Sequence, residues 1–278
     1  MRNEQYLKAL RDAPPWDWPP GAGERLLEII RDRGATKAER ELAADLAGDF
    51  TVINDELARA LLSIVRRGDE PERLRAKAAI SLGPALEHTD SHGFEDDIDE
   101  PPIGEETFRE IQQTLHAVFD DTTAPKEVRR RVLEAAVRAP QDWHRAAIRD
   151  AYAVEDSDWK LTAVFGMQYV RGFDNQILEA LDSANPDIHC EAVCAAGNWE
   201  LDAAWPHVAD LVTSEDTDKE LLLAAIHAVA SIRPQEAWDV LGELTDSDDE
   251  DIAEAAQDAL NMEDPFGEDD EDDDDDYF

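Results

Sequence analysis

The segment DSANPDIHCEAVCAAG, Asp182 to Gly197, sets a pattern that the chain repeats. It opens with a turn in which Asn185 is placed to cap a helix and Pro186 to fill the first helical position. Apolar Ile188, Ala192, Val193 and Ala196 follow at helical spacing, and Gly197 is read as the stop. The same design recurs on both sides at a period of roughly 30 residues, the mark of a helical repeat array. Each unit of such an array buries its apolar face against its neighbours, so 278 residues need not divide into conventional domains.

Residues 1–23 stand apart. A short helix is expected over Met1–Asp12, and the four prolines of APPWDWPPGAG forbid regular helix around Trp16 and Trp18. These residues are expected to form a cap, with the two indoles as a plug over the open end of the array. A proline-rich docking motif is the alternative. Helical patterns then fall at 24–33, 37–48 and 55–67, and a stripe of Leu74, Ala78, Ala79 and Leu82 carries a helix that ends near Leu86. Residues 87–104 read as a polar, acidic insertion. Helix pairs resume at 105–119 with 126–138, 141–153 with 159–170, 175–181 with 188–199, 201–212 with 219–232, and 235–244 with 251–262. No strand-like alternation appears.

PERLRAKAAISLG, PKEVRRRVLEAAV and NPDIHCEAVCAAG resemble the second helix of HEAT repeats: a Pro-containing or acidic turn, an aliphatic-Arg pair, then paired alanines. The pair falls on Leu74-Arg75 and Val128-Arg129, weakens to Trp159-Lys160 and Ile188-His189, and is lost at Leu221-Leu222 and Ile252-Ala253. The resemblance spans most of residues 24–262. It implies an all-α fold, an α-solenoid of HEAT-like antiparallel helix pairs with the second helices on the concave face. Where the arginine is missing, the resemblance does not by itself imply a ladder of charged pairs between repeats.

Charge narrows the partners. The chain holds 26 basic and 67 acidic residues, net −41, and the imbalance is lopsided. Residues 1–150 contain 22 basic and 31 acidic residues, whereas 151–278 contain 4 and 36. Such a surface repels phosphate backbones and anionic lipid, so direct nucleic-acid and membrane binding are not expected. Basic proteins and metal cations are favoured. Two cysteines make no disulfide framework, no apolar run reaches membrane-spanning length, and the first residues are too polar for a secretory signal. A cytoplasmic monomer is the expectation.

The candidate sites follow from these features. After Asn261, eleven acids occur between Glu263 and Asp276, among them Asp269, Asp270, Glu271, Asp272, Asp273, Asp274, Asp275 and Asp276. Residues 263–278 are expected to be a disordered acidic tail that captures a basic partner or docks on the arginine-rich amino-terminal half. Arg66, Arg67, Arg73, Arg75 and Lys77 bracket one turn, and Arg129, Arg130 and Arg131 open a later helix. One structural arginine with two solvated neighbours is the preferred reading of the second cluster; an anion site made by Arg75 and Arg129 is the alternative. His88, Asp90 and His92 offer imidazole and carboxylate to a cation, but nothing nearby fixes a geometry, so a solvated loop is preferred and no metal or cofactor is expected. Cys190 and Cys194 are read as buried small hydrophobes, with His189 turned away from them.

No His-Glu pair of the kind carried by HEAT-like deoxyhypusine hydroxylases occurs, and the charge is opposite to that of HEAT-like DNA glycosylases. The expected function is a non-enzymatic scaffold for protein–protein interaction with a basic partner, recognised on the concave face by Arg75, Arg129, Trp159, Glu191 and Trp199. A bilin-lyase-type enzyme is one alternative. A salt-adapted scaffold whose charge answers the solvent is another, set against the 22 basic residues of the first half.

Overall fold

The computed structural model describes residues 3–94, 101–214 and 216–261. Every regular element among them is helical, and the chain divides into two compact units, residues 1–170 and 171–278.

In the first unit, α1 (Asn3–Arg11) precedes four helix pairs: α2 (Ala22–Arg31) with α3 (Lys37–Leu46), α4 (Asp55–Arg66) with α5 (Glu72–Ile80), α7 (Glu105–Asp120) with α8 (Lys126–Ala136), and α9 (Asp142–Ala153) with α10 (Ser157–Met167). An extra helix, α6 (Gly83–His92), lies between the second and third pairs. Local chemistry sets the starts. Thr36 and Glu39 form a reciprocal capping box on α3, Asn54 accepts from the backbone N–H groups of Glu56 and Leu57, and Asp156 caps α10. Second helices pack side by side, α3 on α5, α5 on α8 and α8 on α10, while α2, α4 and α7 form the other layer. Leu57, Leu61, Leu62 and Val65 of α4 join Leu74, Ala78 and Ala79 of α5 in one buried core. Each such leucine contributes about 1.5–3 kcal/mol by leaving water.

The second unit contains α11 (Asp174–Ala180) with α12 (Pro186–Asn198), α13 (Trp205–Thr213) with α14 (Lys219–Ile232), and α15 (Pro234–Leu241) with α16 (Glu250–Asn261). Asn185 and Asp218 cap α12 and α14 with their side-chain oxygens. Again the second helices stack, α12 on α14 and α14 on α16.

Three local expectations are corrected. The stripe from Leu74 to Leu86 is two helices, because Pro84 has no N–H to donate and forces a restart at Gly83. The second of these, α6, continues to His92 rather than ending near Leu86: Thr89 is buried, and Gly93, with φ +76°, closes the helix through its N–H to the Thr89 carbonyl. Gly197 is not a stop. It lies inside α12, where a Cβ would stand 2.9 Å from the Ala228 Cα, and so permits the close approach of α12 and α14. The helix ends at Asn198, with Trp199 as its cap. Glu200 takes the left-handed conformation (φ +52°), its N–H donating to Gly197 O and that of Leu201 to Ala196 O. This pair of bonds is a Schellman motif built without glycine.

Near the amino terminus, Trp18 packs on the core and its Nε1–H donates to Leu10 O at 2.8 Å, as a plug requires. Trp16 does not join it and is 79% exposed.

Candidate functional site

In the first three repeats the fourth residue of the second helix points back at its own partner helix. In each it is an arginine whose Nε–H donates to a backbone carbonyl ten residues earlier: Arg40 to Ile30 O at 3.1 Å, Arg75 to Val65 O at 3.0 Å, and Arg129 to Phe119 O at 2.8 Å. Those carbonyls lie in the last turns of α2, α4 and α7, where no intrahelical donor remains. Each arginine therefore closes a hairpin. Arg75 is buried, and burial lowers its pKa against the opposing pull of Asp121 and Glu72. Arg40 completes the series although Glu39, not an aliphatic residue, precedes it; the Thr36–Glu39 capping box is the sequence signal that marks its register. It also makes a two-pronged pair with Glu70, at 2.6 and 3.0 Å, both side chains nearly buried.

The cluster opening α8 is more deeply engaged than one structural arginine with two solvated neighbours. Arg130 is buried and donates to Thr162 Oγ1 at 3.0 Å and to Glu127 at 2.8 Å. Arg131 pairs with Glu127 and with the buried Glu134, which also accepts from the Thr162 hydroxyl. Arg66 donates to Glu110 and Thr114, Arg67 to Asp69, and Lys77 pairs with Asp45. The basic clusters are thus largely neutralised within the fold.

Charged links between successive repeats appear on lysine. Lys126 lies 2.8 Å from both Asp156 and Asp158, 30 and 32 residues on. Lys219 repeats the arrangement with Asp249 and Asp251 at 2.7 and 2.6 Å, at the same two spacings. The ladder therefore persists where the arginine pattern has lapsed at Leu222.

Of the five recognition residues expected on one face, the structure brings Arg129 and Trp159 together: the guanidinium sits 5.6 Å from the indole and 5.2 Å from the Phe119 ring. Phe119 and the stacked pair of His116 and Trp143 extend this half-buried cluster. In the second unit, Glu191 and Trp199 share α12 and its cap, and Arg171 covers the Trp199 ring at 4.3 Å. Arg75 directs its Nε–H to the Val65 carbonyl.

His88 and His92 stack on one face of α6, ring centroids 4.2 Å apart, while the intervening Asp90 is two residues off that face. Among the described residues no three His, Cys, Asp or Glu side chains are grouped to hold a metal ion. Cys190 and Cys194 are half-buried and reduced; the thiol contact with Cys194, burial and the carboxylates of Glu191 and Glu220 push the Cys190 thiol far up, which keeps it protonated. His189 meets His207 at 2.7 Å between Nε2 atoms. The acidic tail, Asp269 to Asp276 included, lies outside the described residues, as do the acids at 95–97 and 99.

Antiparallel helix pairs with stacked second helices define the class of α-solenoids. Residues 175–261 match the family model for HEAT repeats. The solved structure of YibA from Escherichia coli is similar over 94% of this chain and 93% of its own, at 15% identity and a TM-score of 0.45. Human deoxyhypusine hydroxylase, solved in complex with glycerol, is similar over 94% of this chain and 96% of its own, at 15% identity and a TM-score of 0.40. No curated protein matches the chain significantly. No helix among the described residues is long and apolar enough to cross a membrane.

Proposed function

We propose that the chain is a non-enzymatic HEAT-repeat scaffold that holds another protein through a basic surface or segment of that partner. One observation carries this reading. Residues 171–278 contain three cations, Arg171, Lys219 and Arg233. Each is engaged inside the unit: Arg171 on Trp199, Lys219 on Asp249 and Asp251, and Arg233 on Asp202 and Glu236. The many remaining carboxylates, exposed Asp187, Asp210, Glu220 and Asp239 among them, have a surplus of charge to offer a basic partner. Because Arg75 and Arg129 are engaged by backbone carbonyls, the recognition surface is drawn from Glu191 and Trp199 of the second unit, with the acidic charge of residues 263–278 adding long-range attraction.

Affinity capture with the full chain tests this, run beside Glu191→Lys and Trp199→Ala variants at low and moderate salt. A basic protein held at low salt, and released by salt or by the Glu191→Lys change, is the expected result. Capture of an acidic partner, or of nothing above background, overturns the reading. Turnover of a substrate by the purified chain would overturn the non-enzymatic part alone.

A further inference from the structure

His189 on α12 and His207 on α13 belong to successive repeats, yet their Nε2 atoms lie 2.7 Å apart and their rings meet edge to face, centroids 5.0 Å apart. His189 occupies the position where Arg75 and Arg129 reach back to a carbonyl; here the side chain reaches forward instead. Both rings are half-buried.

With both imidazoles neutral, the short contact needs one Nε2–H to donate and the other Nε2 to accept. One ring is then the Nε2–H tautomer and the other the Nδ1–H tautomer. If the shared hydrogen moves to Nδ1 of its own ring, two lone pairs converge on one point. Asp182 and Asp218 act on the same place, opposing the burial and the His207 neighbour that lower the His189 pKa. The surrounding unit is strongly anionic.

We propose that His189 and His207 form a two-imidazole clamp for a divalent transition-metal ion, of the Zn²⁺, Ni²⁺ or Cu²⁺ kind, that staples α13 to α12. Imidazole nitrogen suits these borderline ions, whereas Mg²⁺ and Ca²⁺ demand oxygen ligands. A Zn–N bond is about 2.0–2.1 Å, so two nitrogens at a tetrahedral ion stand roughly 3.3 Å apart. The rings must separate by about half an ångström, which side-chain rotation supplies. No third protein ligand is grouped with them among the described residues, so water completes the shell and the nearby carboxylates offset the charge. Binding releases no net proton, because the hydrogen between the rings moves to Nδ1 and both imidazoles stay neutral.

The test uses the full chain, stripped with a chelator, melted with Ni²⁺ or Zn²⁺ and, separately, with equal Mg²⁺. Mg²⁺ reports cations gathered by the acidic surface alone. A rise in the midpoint with Ni²⁺ or Zn²⁺ that Mg²⁺ does not match is expected, lost in His189→Ala and in His207→Ala but kept in His227→Ala. A second readout is independent of stability: the spectrum of one bound Cu²⁺ should show two imidazole nitrogens in the parent and fewer in either single variant. An equal shift with Mg²⁺, a shift that survives both substitutions, or no shift with any transition metal overturns the proposal.

Discussion

Lys219 lies 2.7 Å from Asp249 and joins one repeat to the next, as Lys126 does with Asp156 at 2.8 Å. The positive charge at each helix start is offset because two carboxylates, the residue just before the next second helix and the second residue after that one, surround the ammonium. These links are exposed, and the hydrogen bond to each lysine lowers the pKa of Asp156, Asp158 and Asp249. Their contribution is present in full above the ordinary carboxylate pKa of about 4 and is lost as pH falls below it and through the lower pKa of the folded state. Lys219→Met should lower the midpoint of thermal unfolding slightly, with the difference from the parent shrinking as salt is added. A difference that persists at high salt would point to lost packing instead.

The Arg40–Glu70 pair differs in being nearly buried and two-pronged. Glu70→Gln removes the charge that the Arg40 guanidinium faces and leaves a cation held in a poorly solvated place. A loss of about 3 kcal/mol is expected, the low end for breaking a buried pair. Urea unfolding should show a lower midpoint with an unchanged slope.

His144 sets a pH dependence of its own. It is fully buried, its Nδ1 accepts from the Gln141 N–H at 2.8 Å, and its Nε2 has no partner. Burial, with the His116 neighbour, pushes its pKa down to about 4. Between about pH 6.5 and 4 the unfolded chain takes up a proton that the folded chain refuses, so stability falls as pH falls through that window. The full loss is about 3 kcal/mol, from the shift of roughly two and a half pH units at 1.36 kcal/mol each. His144→Gln keeps an acceptor for Gln141 and should flatten this part of the stability profile. A variant as acid-sensitive as the parent over that range would refute the assignment.

Glu200 closes α12 in a conformation that glycine adopts freely and other residues resist. Glu200→Gly should stabilise the chain by about 0.5–1 kcal/mol, the lost strain outweighing the greater freedom of the unfolded chain. Calorimetry of the two proteins gives the sign directly.

Much of the fold was legible because its signals are local. Thr36, Asn54, Asn185 and Asp218 cap helices within a residue or two of where their chemistry places them, and apolar stripes mark the buried faces. The arginine series was legible as a motif, but its role was not: the carbonyl partner of Arg75 is ten residues away on another helix. Arg40 escaped because Glu39 interrupts the aliphatic-Arg pattern. Gly197 reads as a terminator in the sequence because glycine at a helix end and glycine beneath a crossing helix look alike until Ala228 is in place. The His189–His207 contact had no signal at all. Eighteen residues and a turn separate the two rings, and only the packing of consecutive repeats brings them together.

The two kinds of polar tie answer acid differently. A guanidinium donating to a peptide carbonyl keeps its charge in acid, whereas an ammonium between two aspartates loses its counter-charges once acid protonates them. Acidification should therefore unlink neighbours along the array while the hairpins fastened by Arg40, Arg75 and Arg129 remain shut. The stack would loosen like a column of closed clasps, its joints yielding before its pieces do.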